Sequence, residues 1–221
     1  MKDKIKSIYG KMLIKIKENK RVITIILAIV GGITIVAIGL KYIAVPTLAL
    51  KSPEGISYEN RDEIIIPAVL SKLPDSSYPA TSVSIKFDNN KLDFVGLTIG
   101  TMQTYNNYDE TKGEEPKYKI PQWVYNAEVA NQEGEIRAMY LDTTAGKNAY
   151  TKDGFEKKTK DMPFKLVFKL KDSVIPNEKI EVSIEEAVFA TVTGEVDKTT
   201  LSTKDNYGKL RVKDATIKIK G

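Results

Sequence analysis

The chain has 221 residues, with 34 Lys/Arg, 29 Asp/Glu, no Cys and no His. That inventory excludes disulfides, thiol catalysis, His-ligated zinc and a Ser-His-Asp triad. The net charge of +5 is uneven: residues 1–21 hold eight Lys/Arg against two acidic residues, and the part after Lys41 holds 25 basic against 27 acidic. The later part therefore lacks the basic surplus a nucleic-acid partner requires.

Residues 5–16 place Ile5, Ile8, Tyr9, Met12, Leu13 and Ile16 at helical spacing, with Lys4, Lys6, Lys11, Lys15 and Lys17 largely elsewhere. Such a basic amphipathic segment suits anionic lipid. The plainer reading is a topogenic tail, and Gly10 weakens any helix. From Val22 to Leu40, VITIILAIVGGITIVAIGL, nineteen residues pass without a charge. At ~1.5 Å per residue that length matches a bilayer core. Basic residues dominate before it and only Lys41 follows closely, which places the N-terminus in the cytoplasm and the bulk outside. The competing reading is a cleavable signal peptide with a small-residue site near Ala49, but the run exceeds the ~7–15 apolar residues of such peptides. The expected organisation is a basic cytoplasmic tail over 1–21, an uncleaved transmembrane signal anchor over 22–44 and an extracellular domain over 45–221.

Beyond Thr47 no long segment keeps a helical period. Strand candidates recur instead, at 47–51, 62–70, 81–87, 92–99, 135–141, 163–171, 179–190 and 209–220. Alternation is clear where Phe164, Leu166, Phe168 and Leu170 oppose Lys165, Val167 and Lys169. In VSIKFDNNKLDFVGLTIG (83–100), two apolar runs flank the polar turn Asp88-Asn89-Asn90, which predicts a hairpin. Many short strands with polar turns predict an all-β antiparallel sandwich or jelly roll.

Chemistry is sparse in this stretch. The close acids of GEEPK (113–117), EGEIR (133–137) and IEEAV (184–188) read as solvated charge, because sequence neighbours do not establish two carboxyls flanking a cleft. Asp88, Asn90 and Asp93 lack the spacing of an EF-hand loop, and the turn itself accounts for Asp and Asn. No phosphate-binding glycine loop appears. No enzyme activity, cofactor or metal is expected. Tyr105, Tyr108, Tyr118, Trp123 and Tyr125 cluster within twenty-one residues. Such rings suit sugar stacking, protein contact or plain core packing.

DEIIIPAVLSKLP (62–74) followed by SIKFDNNKLDFVGLTIG (84–100) resembles the opening of a cohesin module. The likeness continues in order through EIRAMYLDTTAG (135–146), TKDG (151–154), PFKLVFKLKDS (163–173) and IEVSIEEAVFATVTGEV (180–196). It spans about residues 47 to 220. The segments 101–134 and 155–162 look inserted. The resemblance implies a jelly roll of about nine strands that is not a catalyst. It also implies a role in binding dockerin-like modules of secreted, polysaccharide-degrading enzymes at the cell surface. Cohesins recognise partners through one sheet face, here partly the strands at 81–87 and 135–142. Taking Val83, Ile85, Phe87, Ile136, Ala138 and Tyr140 as inward leaves Ser82, Ser84, Lys86, Arg137, Met139 and Leu141 outward. Those six are the expected partner-binding residues, unless the 101–134 insertion covers Met139 and Leu141. Ser82 stands where well-studied cohesins carry an acidic residue. The alternatives are a carbohydrate-binding module using the five aromatics, and an envelope structural subunit without dockerin binding.

Overall fold

Strand alternation with one apolar face per strand demands a second layer to bury that face. The computed structural model supplies two such layers and describes residues 45–104, 110–112, 122–192, 199–204 and 208–220. The chain divides into two units, Met1–Ala44 and Val45–Gly221, and every described residue belongs to the second. The basic tail and the apolar span 22–40 lie outside the described residues. Among the described residues, no helix is long and apolar enough to cross a membrane.

The elements in chain order are β1 (Thr47–Leu50), β2 (Ile64–Ser71), β3 (Ala80–Phe87), β4 (Leu92–Ile99), β5 (Trp123–Tyr125), α1 (Ala127–Glu133), β6 (Glu135–Leu141), β7 (Phe164–Leu170), β8 (Lys179–Ala190), β9 (Leu201–Ser202), β10 (Gly208–Lys209), β11 (Arg211–Lys213) and β12 (Ala215–Lys218). One sheet runs β11-β1-β2-β7-β4, and the other runs β10-β9-β8-β3-β6-β5 with β12 also on β8. The pairing is antiparallel except for β1 with β11 and β9 with β10. Among the described residues the expected antiparallel set of about nine strands becomes twelve, the additions being two- and three-residue pieces along the edges.

The core lies between the sheets. Phe168 of β7 meets Phe87 of β3 at 5.2 Å and Phe94 of β4 at 5.6 Å between ring centroids. Trp123 packs edge-on against Phe164 at 4.9 Å.

The predicted hairpin at 83–100 is corrected. β3 pairs with β6 and β8, whereas β4 pairs with β7 in the opposite sheet. The Asp88–Lys91 turn is therefore an arch between layers. Asp88 Oδ1 accepts from the Asn90 amide at 2.9 Å, the local bond expected of an Asp in a turn. Asn89 Nδ2 donates to the carbonyls of Asn131 and Gln132, two of the open acceptors at the end of α1.

The seven-residue helix α1 is also new relative to the sequence reading. Asn126 caps its start by accepting from the Val129 amide, and Gly134 ends it at φ 69°. That left-handed conformation is where glycine is favoured. Together β5 and α1 bridge the side of the sandwich between β6 and β4. Asn131 of α1 presents its amide to the backbone of β4: the Phe94 N–H donates to Oδ1 at 2.7 Å, and Nδ2 donates to the Phe94 carbonyl at 3.0 Å. One side chain thus stands in for the strand that the edge lacks.

Candidate functional site

The outer face of the second sheet is built from β8, β3, β6 and β5. Cross-strand register arranges its side chains in rows. Ala80 lies between Leu141 and Ala190; Ser82 lies between Met139 and Val188, with Val124 beyond Met139. Ser84 lies between Arg137 and Glu186, and Lys86 between Glu135 and Ser183. All six residues expected to point outward are exposed or half-exposed, and all six share this face. Met139 and Leu141 are each 51% exposed and Val124 is 66% exposed. The face therefore grades from an apolar half, floored by Ala80 and Ser82, to a charged half. A shallow depression of about 340 Å³ above Ser82, Ser84, Val124 and Met139 joins the two.

The frame beneath the apolar half is stiff. After Leu141, Asp142 Oδ1 accepts from the Thr144 amide at 2.7 Å and from the Thr144 hydroxyl. Thr144 Oγ1 accepts from Asn148 Nδ2 at 2.9 Å, and the Tyr140 hydroxyl donates to the Asn148 carbonyl at 2.6 Å. Tyr150, fully buried behind Tyr140, donates to the Pro163 carbonyl at 3.0 Å. Burial pushes the Tyr150 hydroxyl well above the usual tyrosine range, with the neighbouring Tyr140 adding to it. These phenols stay neutral and act as struts.

The charged half is closed on itself. Arg137 grips Glu135 with two nitrogens, at 2.7 and 3.2 Å, and Glu133 with a third, at 2.9 Å. Lys86 pairs with Glu185 at 3.2 Å and Lys204 with Glu186 at 2.7 Å. Glu185 and Glu186 sit at a register shift where β8 crosses Ser84 and Ile85 of β3. That irregularity turns both carboxylates toward solvent, in keeping with solvated charge.

The Ser84 hydroxyl, donating to Glu135 at 2.6 Å, holds that carboxyl below its ordinary 4.5, and Arg137 adds to the effect. A carboxyl whose pKa is depressed by folding stabilises the fold above 4.5 and loses that contribution as pH falls through the depressed value. Ser84→Ala is expected to bring the Glu135 midpoint up toward 4.5, followed by NMR titration of its side-chain carboxyl. An unmoved midpoint would assign the depression to Arg137 alone.

The aromatic cluster divides differently. Trp123 is only 5% exposed, wedged against Phe164 and Tyr140. Of the three readings open for these rings, Trp123 takes core packing and is not available to stack on sugar: its parity on β5 turns it inward while Val124 faces out. Tyr125 is half-buried and edge-on to Phe94 at 5.5 Å. Tyr105, Tyr108 and Tyr118 lie outside the described residues. Val124 and Val188, which complete the apolar half, were missed by the sequence reading. The isolated VY pair after Trp123 carries no alternation long enough to identify a strand, and the irregularity at Glu185 and Glu186 shifts the parity that places Val188.

No family model matches the chain, and no curated protein matches it significantly. Solved structures do share its fold. The chain is similar to the third cohesin of ScaC from Acetivibrio cellulolyticus, solved with the ScaB dockerin. There the TM-score is 0.54 at 12% identity, covering 80% of this chain and 99% of that one. It is also similar to the sixth cohesin of scaffoldin B from the same organism, solved with a dockerin, with a TM-score of 0.52 at 17% identity over 79% and 99% of the two chains. The OlpA cohesin from Clostridium thermocellum, again in a dockerin complex, gives a TM-score of 0.51 at 17% identity over 79% and 99%. The described domain has the cohesin fold.

Proposed function

We propose that this protein is a non-catalytic docking module, tethered to the outside of the cell by the apolar span at 22–40. It holds a dockerin-like module of a secreted polysaccharide-degrading enzyme. The observation that carries this reading is the exposed apolar half of the β8-β3-β6-β5 face, with Met139, Leu141 and Val124 standing on a stiff sheet. An apolar centre bordered by charge is the anatomy of a protein interface, and stiffness keeps the ordering cost of association low. The fold adds support, since the similar cohesins named above were solved with dockerins bound.

The test is calorimetric titration of the full chain with a panel of dockerin modules, comparing the parent with a Met139→Lys, Leu141→Lys double variant. Two ammonium groups in a desolvated centre are expected to weaken binding by roughly a hundredfold or more, following the cost of unpaired interfacial charge. Both side chains project into solvent, so the fold should persist, which the melting curve checks. Equal binding by parent and variant would remove this face from the function.

A further inference from the structure

We infer that the partner, on the docking proposal above, is gripped through the apolar half of this face alone. Its contacting surface is then aliphatic and largely uncharged, and the charged half serves as a border whose cations are already paired. Each cation of the charged half already has a partner. Lys86, Arg137 and Lys204 are all engaged with carboxylates of the same domain, at Glu185, at Glu133 and Glu135, and at Glu186. The Arg137–Glu135 pair is bidentate and is tightened by the Ser84 hydroxyl at 2.6 Å.

A partner carboxylate seeking Arg137 would have to displace one that is already seated. The exchange trades like for like in an exposed setting, where a single ion pair contributes only about 0–1 kcal/mol. A partner lysine seeking Glu135 or Glu186 meets the same difficulty. The three cations are matched by four carboxylates, and Asp88 and Glu181 stand beside them, so no positive charge is left over on the band to draw an acidic partner.

The apolar half has the opposite character. Leu141, Met139, Val124 and Val188 stand around the low floor of Ala80, Ser82 and Ala190. Small floor residues let a partner backbone approach closely, and among the described residues nothing apolar covers the taller side chains. Removing them from water is the gain this face offers. Ser82, at the centre, gives the hydroxyl that fixes register.

The experiment uses the same full chain and a dockerin that binds it, with affinity measured over a salt series. Between roughly 50 and 500 mM NaCl the dissociation constant is expected to change by less than about threefold, because screening acts on charge pairs formed across an interface. A Glu135→Gln, Arg137→Gln double variant, which removes a pair and leaves net charge unchanged, is likewise expected to bind within about threefold of the parent. Val124→Lys should weaken binding by about tenfold or more. A loss of about tenfold or more across the salt series, or in the Gln double variant with its melting point retained, would overturn the inference and leave docking through this face standing. Failure of every dockerin to bind the parent would remove both.

Discussion

A chain carrying Gly100→Ala is expected to melt roughly 10 °C below the parent, the equivalent of about 3 kcal/mol in a domain of this size. The reason is space. A Cβ at position 100 would lie 1.8 Å from the Met162 carbonyl oxygen, well inside any tolerable contact. Nor is that carbonyl free to retreat, because it accepts from the Thr101 amide at 2.8 Å. The Thr101 hydroxyl stitches the same two segments, donating to the Lys160 carbonyl at 2.7 Å and accepting from the Met162 amide at 3.0 Å. Relief therefore requires peeling residues 160–163 from the end of β4, immediately before β7 begins. Thermal melting followed by circular dichroism checks the prediction, and a shift of no more than a degree or two would show that the segment yields easily.

Asn131→Ala is expected to cost about 2–3 kcal/mol, because it strips a donor and an acceptor from the backbone of one buried residue. Phe94 is 2% exposed, and Asn131 alone among the described contacts turns toward both its N–H and its carbonyl on the open side of β4. Asn131→Asp should recover little, since a carboxylate accepts from the amide but confronts the Phe94 carbonyl with a second oxygen. Urea denaturation gives the magnitude. Hydrogen exchange at the Phe94 amide gives the mechanism: it should quicken in both variants, and an unchanged rate would show that Asn131 is not its protector.

Alternation in the sequence reveals which side chains face inward, and here it did so for β3, β6 and β7 without error. It carries no information about which strand lies alongside. Val83, Ile85 and Phe87 point into the core whether β3 continues as a hairpin or arches into the other layer, so the Asp88–Lys91 turn was legible as a turn and misread as to kind. Parity also fails where a strand slips register. Val95, between Phe94 and Gly96, marks such a place in β4, as Glu185 and Glu186 do in β8. Short pieces were the other loss. Trp123–Tyr125 and Leu201–Ser202 are held by neighbouring strands, and two or three residues have too little pattern to announce themselves. The outward set on β3 and β6 was readable because both strands are long and regular. The self-paired state of its charges was not, since the bonds from Lys86 to Glu185 and from Lys204 to Glu186 join residues distant in sequence.

The pairing of β1 with β11 bears on how the protein is made. Thr47, Leu48 and Ala49 find their parallel partners in Arg211, Val212 and Lys213, and Ala215–Lys218 then returns to seal β8. A polypeptide emerging from the ribosome in order cannot complete the first layer until residue 213 has been synthesised, nor the second until residue 218. Growth of the nascent chain therefore precedes closure, contacts of such wide separation make that closure slow, and unpaired edges wait in the interval for whatever guards them against aggregation.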